Sequence, residues 1–448
     1  MFKNTKQSVL QHNIGKINKQ ILSLAIPSIL ANITVPLVGI VDTAIVGHIS
    51  DAVSIGGIAI GTMLFDLLYW NFAFLREGTG GLTAQAFGRN DHEAQADYLT
   101  EGIFIAIVGA ALIWLIQWFY VSLVLWFVPC SSGVADFARQ YFYIRIWAAP
   151  ATLSNMAIKG WLIGMQNSVG AMICDLTINI TNIVLSYVLA YHSSFGVIGV
   201  AWGTLIAQYT GLMLGLIVIT IKYRDIIGLI NCRRACKMEK MRQIFSLNGN
   251  LMLRSMCMLV IYVGFTSIAA KYGDTELAIS SIMMKMFLLF SYFVDGFAYA
   301  GEALTGKYIG AKDKDNLILS IKYLFAWSVG IGLLFTLIYA LAGTDTISLL
   351  TSDQSVIDGS QPYIIWLILM PIVSCAAFMW DGIYIGATAG REIRNSTVWA
   401  AIGFVGIYLL LYKLYGIQAL YFAYFIHLFL RFIYLSIVWK RTIERCVV

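Results

Sequence analysis

Apolar stretches long enough to cross a lipid bilayer recur from one end of this chain to the other. About 20 apolar residues in a helix span the hydrocarbon core. Every backbone N–H in lipid needs an internal partner, so these stretches are read as helices. Composition agrees. Of 448 residues, 59% are hydrophobic and only 12% charged, where a water-soluble domain carries about 25% charged residues. Mean hydropathy is +0.77. The expected class is an all-α polytopic membrane protein.

Twelve spans are predicted, near 21–47, 53–77, 97–120, 138–163, 168–191, 196–221, 244–270, 276–300, 316–342, 361–386, 396–415 and 418–439. The stretch 119–133 has room for a short interfacial helix. With a cytoplasmic N-terminus, twenty Lys and Arg fall in inside segments and three (Arg139, Lys271 and Lys413) fall outside. The positive-inside rule then puts both termini in the cytoplasm and the protein, multi-pass, in the cell membrane. Seven of the twenty sit in the basic loop 222–242, which divides the spans six and six. The expected organisation is an N-lobe over 1–221, a cytoplasmic linker over 222–242 and a C-lobe over 243–448.

Several classes are excluded on the same grounds. The net charge of +6 sorts by membrane side, so no nucleic-acid partner is expected. Lys3, Lys6, Lys16 and Lys19 precede the first span, but that apolar run is too long for a signal-peptide core. Cys232 and Cys236 form C-x3-C without a second pair, so no metal site is expected there. No Walker A loop, H-E-x-x-H or G-x-S-x-G occurs, which argues against ATP as energy source and against an intramembrane enzyme.

The two halves resemble each other. "GLTAQAFGRND" (81–91) lies against "ALTGKYIGAKD" (303–313) at a shift of 222, and Gly160 and Gly164 match Gly382 and Gly386 at the same shift. "GVIGVAW" (196–202) faces "GIQALYF" (416–422) at 220. Six spans is an even number, so both halves enter from the same side. That arrangement is a parallel repeat about the membrane normal, as in carriers that rock two lobes to alternate access.

Charges inside spans are functional candidates by default. Asp42 is the only ionisable acid or base in 21–47, six residues after Pro36. A carboxylate in low dielectric resists ionisation, which suits a site that binds a proton or a cation; a hydrogen-bonded core acid is the other reading. In span 5, Asp175, Asn179, Asn182 and Ser186 share one helical face, either toward a cavity or as glue between helices. In the second half, Lys285, Asp295, Glu302 and Asp381 outline a polar chamber for substrate, or structural pairs. Arg76–Glu77, Arg145 and Lys159 lie nearer span ends and are read as interfacial anchors.

The motifs "VDTAIVGHIS", "FLREGTGGLTAQAFGRND", "GWLIGMQNS", "DGFAYAGEALTGKYIGAKD" and "WDGIYIGATAGREIRNS" resemble the multidrug and toxic compound extrusion (MATE) transporters, within them the DinF-like branch. The resemblance covers nearly the whole chain. It implies two pseudo-symmetric six-helix lobes of the MATE/MOP-type fold, and efflux of organic, often cationic or amphipathic compounds against inward H+ or Na+. It implies no cofactor, small-molecule substrates in a lipid bilayer, and action as a single chain. Asp42 matches the family's cation-coupling aspartate of span 1, the place where Na+ would bind. Asn182 matches the asparagine of span 5, and Thr204 the threonine of span 6. Ser186 stands where the family usually has an acid, which removes one negative charge; Asp175 is a candidate to supply it. A lipid-linked saccharide flippase of the same superfamily is the alternative.

Overall fold

The computed structural model describes residues 2–49, 52–128, 130–192, 195–235, 238–343, 345–348 and 350–443; its described side chains begin at 14 and leave out 49, 52 and 238–243. The described residues are almost wholly helical. In order they are α1 (Phe2–Ile49), α2 (Ala52–Trp70), α3 (Phe74–Gly88), α4 (His92–Phe127), α5 (Ser132–Arg145), α6 (Ala149–Gly164), α7 (Ser168–Tyr191), α8 (Gly199–Lys222), α9 (Arg224–Ile227) and α10 (Cys232–Ala235). There follow α11 (Met238–Ala269), α12 (Asp274–Gly310), α13 (Lys314–Ala342), α14 (Asp345–Ser348), α15 (Gln354–Gly359), α16 (Ile364–Gly386), α17 (Gly390–Tyr415) and α18 (Gln418–Thr442).

Among the described residues, 11 stretches are long and apolar enough to cross a membrane. The remaining expected span, 138–163, is built from α5 and α6. A 3-10 turn at Ile146–Ala148 separates them, and Pro150 opens α6, where its missing N–H breaks no helical bond. Helix α4 continues unbroken to Phe127, so 119–127 extends the third span and forms no separate interfacial helix. Cys232 is free and exposed, and Cys236 lies outside the described residues.

The chain divides into two compact units, one of Leu30–Phe245 and one of Met1–Ile29 with Ser246–Val448. Helix α1 contributes to both, and its division at Ile29/Leu30 falls just after Pro27. In the first unit α3 and α4 pack on α6, α2 on α5, and α7 on α8. In the second, α12 and α13 pack on α16, and α17 on α18, around a core that includes Phe265, Phe287, Phe290 and Tyr421.

The duplication is visible in backbone detail. A Cβ on Gly160 would lie 2.2 Å from the Arg76 carbonyl oxygen; one on Gly382 would lie 2.1 Å from that of Ala298. Gly164 stands in the same way against Gly80, and Gly386 against Glu302. Each close approach recurs 222 residues on. So do the left-handed residues: Asn90 and Lys312 both have φ 55°, and Gln166 and Thr388 have φ 59° and 54°. Gly196 and Gly416, at φ 53° and 54°, follow the shift of 220. Asp91 and Asp313 cap the helices that follow, each accepting from the N–H three residues on, at 3.0 and 3.1 Å.

Candidate functional site

The polar centre of the Leu30–Phe245 unit is assembled by α1, α7 and α8. Asn182 donates its amide to the Thr204 hydroxyl at 2.8 Å, and Thr204 donates to the Val200 carbonyl at 3.0 Å. One turn on, Ser186 is completely buried. Gly203 of α8 lies so close that a Cβ there would stand 2.7 Å from the Ser186 backbone nitrogen. Asp42 of α1 faces the Ser186 hydroxyl and the Arg145 guanidinium. Three oxygens remain without a hydrogen-bond partner among the described residues: Asp42 Oδ1, Asn182 Oδ1 and Ser186 Oγ. The hydroxyl faces the carboxylate without reaching hydrogen-bond geometry. A hydrated or hydrogen-bonded alternative is worth about 1–3 kcal/mol for each such buried group. Chemically, each of these oxygens can accept a hydrogen bond or coordinate a small cation.

The rest of the stripe on α7 is already engaged. Asn179 donates to the Thr34 hydroxyl of α1 at 2.6 Å. Asp175 forms an ion pair with Lys159 of α6 at 2.7 Å. Lys159 is therefore held inside the unit by a carboxylate, where the sequence suggested an interfacial anchor, and the charge of Asp175 is spent on that partner. Arg145 also departs from the anchor reading. It ends α5 at the 3-10 turn, lies 4.7 Å over the Phe65 ring, donates to the Tyr141 hydroxyl at 3.0 Å and faces both Asp42 and Asp66. The sequence did not reveal Arg145 as a neighbour of Asp42, nor Asp66 as a second acid facing that guanidinium, because the turn that aims Arg145 inward leaves no periodic signal.

In the other unit, Asp381 of α16 accepts from Arg254 of α11 at 2.7 Å and from Arg431 of α18. Glu302 is completely buried on α12, at the turn that Gly386 approaches, and Asp295 is half-buried seven residues earlier. Lys285 is exposed on the same helix and makes no ion pair among the described residues. Of the four chamber candidates, Asp381 is engaged by two arginines, while Lys285 lies exposed. Arg431 and its neighbour His427, both completely buried, went unnoticed in the sequence. The available signal was an arginine midway along an apolar span with a histidine one turn before it.

The MatE family profile matches twice, over residues 27–188 and 251–411. The chain is 36% identical over 426 residues to the DNA damage-inducible protein F of Escherichia coli K12, covering 95% of this chain and 92% of that one. It is 22% identical to the multidrug and toxin extrusion protein 1 of Danio rerio, over 99% of this chain and 76% of the relative. Among solved structures, one described as MATE in the bent conformation superposes with a TM-score of 0.86 at 18% identity, covering 98% of this chain and 99% of its own. Another, described as the outward-facing conformation of a multidrug resistance MATE family transporter of the MOP superfamily, gives 0.86 at 19% identity, covering 96% of each chain. The fold is accordingly the two-lobed arrangement of twelve helices seen in MATE structures. Two matches to one profile, a repeat written into the backbone and an aligned relative over nearly the full length place this chain in the MatE family, as a MATE transporter and not an enzyme.

Proposed function

We propose that this chain is a secondary active multidrug antiporter of the cytoplasmic membrane. It exports organic, cationic or amphipathic compounds in exchange for H+ or Na+ by alternating access, with both termini in the cytoplasm. The observation that carries the reading is Asp42, an acid inside a span whose Oδ1 is buried without a partner, beside two more orphan oxygens on α7. The names of relatives point the same way, among them a multidrug and toxin extrusion protein and a multidrug resistance protein NorM from Photorhabdus laumondii.

The cycle follows from linkage. When the carrier opens outward, Asp42 takes up the ion, with Asn182, Thr204 and Ser186 completing its surroundings. Neutralising the carboxylate changes what α1 and α7 present to each other, and substrate affinity falls. By reciprocity, bound substrate lowers affinity for the ion by the same factor. The compound leaves outside, the carrier turns inward, and the ion departs to the cytoplasm. Pro27 and Pro36 each remove a backbone donor from α1 and give it bending points.

Efflux of a cationic dye from membrane vesicles, with pH and Na+ gradients varied independently, tests this. Asp42→Asn is expected to abolish gradient-driven efflux while the protein still inserts and keeps its thermal melting profile. Full gradient-driven efflux by that variant overturns the assignment of Asp42.

A further inference from the structure

The Asp381 centre plays no part in the coupling just described, and it is incompletely satisfied. Asp381 Oδ2 accepts from two guanidinium groups, Arg254 Nη2 at 2.7 Å and Arg431 Nη2. Arg431 is completely buried, yet its Nε and Nη1 have no hydrogen-bond partner among the described residues. The same holds for Asp381 Oδ1 and for both ring nitrogens of His427, one turn before Arg431 on α18. The Phe378 ring, 5.9 Å from Arg431 Cζ, covers a face of the guanidinium and accepts none of its in-plane N–H groups.

A guanidinium carries five donors and no acceptor. Leaving a buried donor unmet costs about 1–3 kcal/mol, and more when it is charged, so native interiors rarely gather several. The chemistry that satisfies Arg431 and an imidazole N–H together is an anionic, oxygen-rich group. A carboxylate is one of the groups whose paired oxygens match the planar fork of arginine. The Arg254 side chain is the most exposed of the three, at 13%, against 7% for Asp381 and 0% for Arg431. The repeat supplies a contrast. Lys159 occupies the position equivalent to Asp381, and there one cation and one carboxylate meet at 2.7 Å. At Asp381 two guanidiniums share one oxygen.

We propose that Arg254, Asp381, His427 and Arg431 form a subsite for the carboxylate of a transported amphipathic compound, with Asp381 as the resident competitor for the guanidiniums. The carrier then takes zwitterionic and anionic amphiphiles as well as cations. This deepens the antiporter reading and rests on it for transport, but binding is measured without any gradient. A carrier that binds without coupling and a carrier that lacks the subsite are thus told apart.

Rhodamine B carries a free carboxylate, and rhodamine 6G is a related cation with that group esterified. Binding of each to the purified full-length protein in lipid nanodiscs is read by fluorescence anisotropy. Arg431→Gln is expected to weaken rhodamine B at least tenfold and to change rhodamine 6G less than twofold. Asp381→Asn removes the competitor and is expected to tighten rhodamine B binding. Acetate is expected to displace rhodamine B at concentrations where chloride does not. Unchanged or equally weakened binding of both dyes in Arg431→Gln overturns the proposal. If Arg431→Gln does not fold, Asp381→Asn decides, and unchanged or weaker rhodamine B binding overturns it. Equal displacement by chloride also overturns it, in favour of an inorganic anion.

Discussion

At the scale of single residues, this protein keeps polar groups in hydrocarbon in two conditions, closed and open. Lys159–Asp175 and Asn179–Thr34 are closed contacts that join helices. Asp42, Ser186 and one oxygen of Asn182 are open. Thr204 links the two conditions, because it accepts from Asn182 while donating to its own helix. Thr204→Val keeps the shape and removes the acceptor, leaving a buried amide unmet. The expected result is a loss of about 1–3 kcal/mol in stability, read from the detergent melting curve, with efflux reduced more than protein level. Efflux and melting both at the wild-type level would mean that Asn182 needs no fixed orientation. The residue Asp42 stood out in the sequence because it is a lone acid in an apolar run. Arg431 carried a comparable signal and its depth becomes meaningful only beside Asp381.

At the scale of elements, packing is set by where helices approach without side chains between them. Gly160 and Gly382 occupy equivalent positions, and a Cβ at either would run into a carbonyl oxygen. Gly160→Ala and Gly382→Ala are each expected to lower stability by at least about 1–3 kcal/mol, because backbone cannot move aside as a rotamer can. Gly249 has nothing within 4 Å of an added Cβ, so Gly249→Ala, expected to raise stability by up to about 1 kcal/mol through helix propensity, serves as the control in the same melting experiment. The basic connection between the two halves is anchored in a different way. Arg234 of α10 makes two bonds to Asp97 at 2.9 and 3.0 Å and reaches Glu93 at 2.8 Å, both on α4. Asp97 and Glu93 hold the Arg234 guanidinium above its ordinary pKa, the hydrogen bond to Asp97 contributing most, so it stays charged throughout the working range. Arg234→Ala is expected to speed tryptic cleavage within 222–242 several-fold while the spans stay protected. Unchanged cleavage kinetics would show that other contacts hold the segment.

At the scale of the whole molecule, duplication is the organising fact. The family profile matches each half once, and the same pairings of helices recur in both units. Topology reporters test the orientation. A green fluorescent protein joined after Val448 is expected to fluoresce, and alkaline phosphatase inserted in the acidic loop 343–358 is expected to be active. The opposite pattern would invert the proposed direction of export.

Membrane class, helical spans, the internal repeat and Asp42 as the leading candidate were all legible in the amino-acid order. Each of these is local or periodic, readable as hydropathy, spacing or a single misplaced charge. Which polar groups have partners and which stand open emerges from the packed helices alone. Their packing paired Lys159 with Asp175, turned Arg145 inward and brought Arg254 and Arg431 to Asp381 from 127 and 50 residues away. It also divided α1 between two units. Such partners depend on how helices pack against one another, and helix packing is fixed by close approaches at positions like Gly160, Gly203 and Gly382, whose neighbours lie far away in the chain.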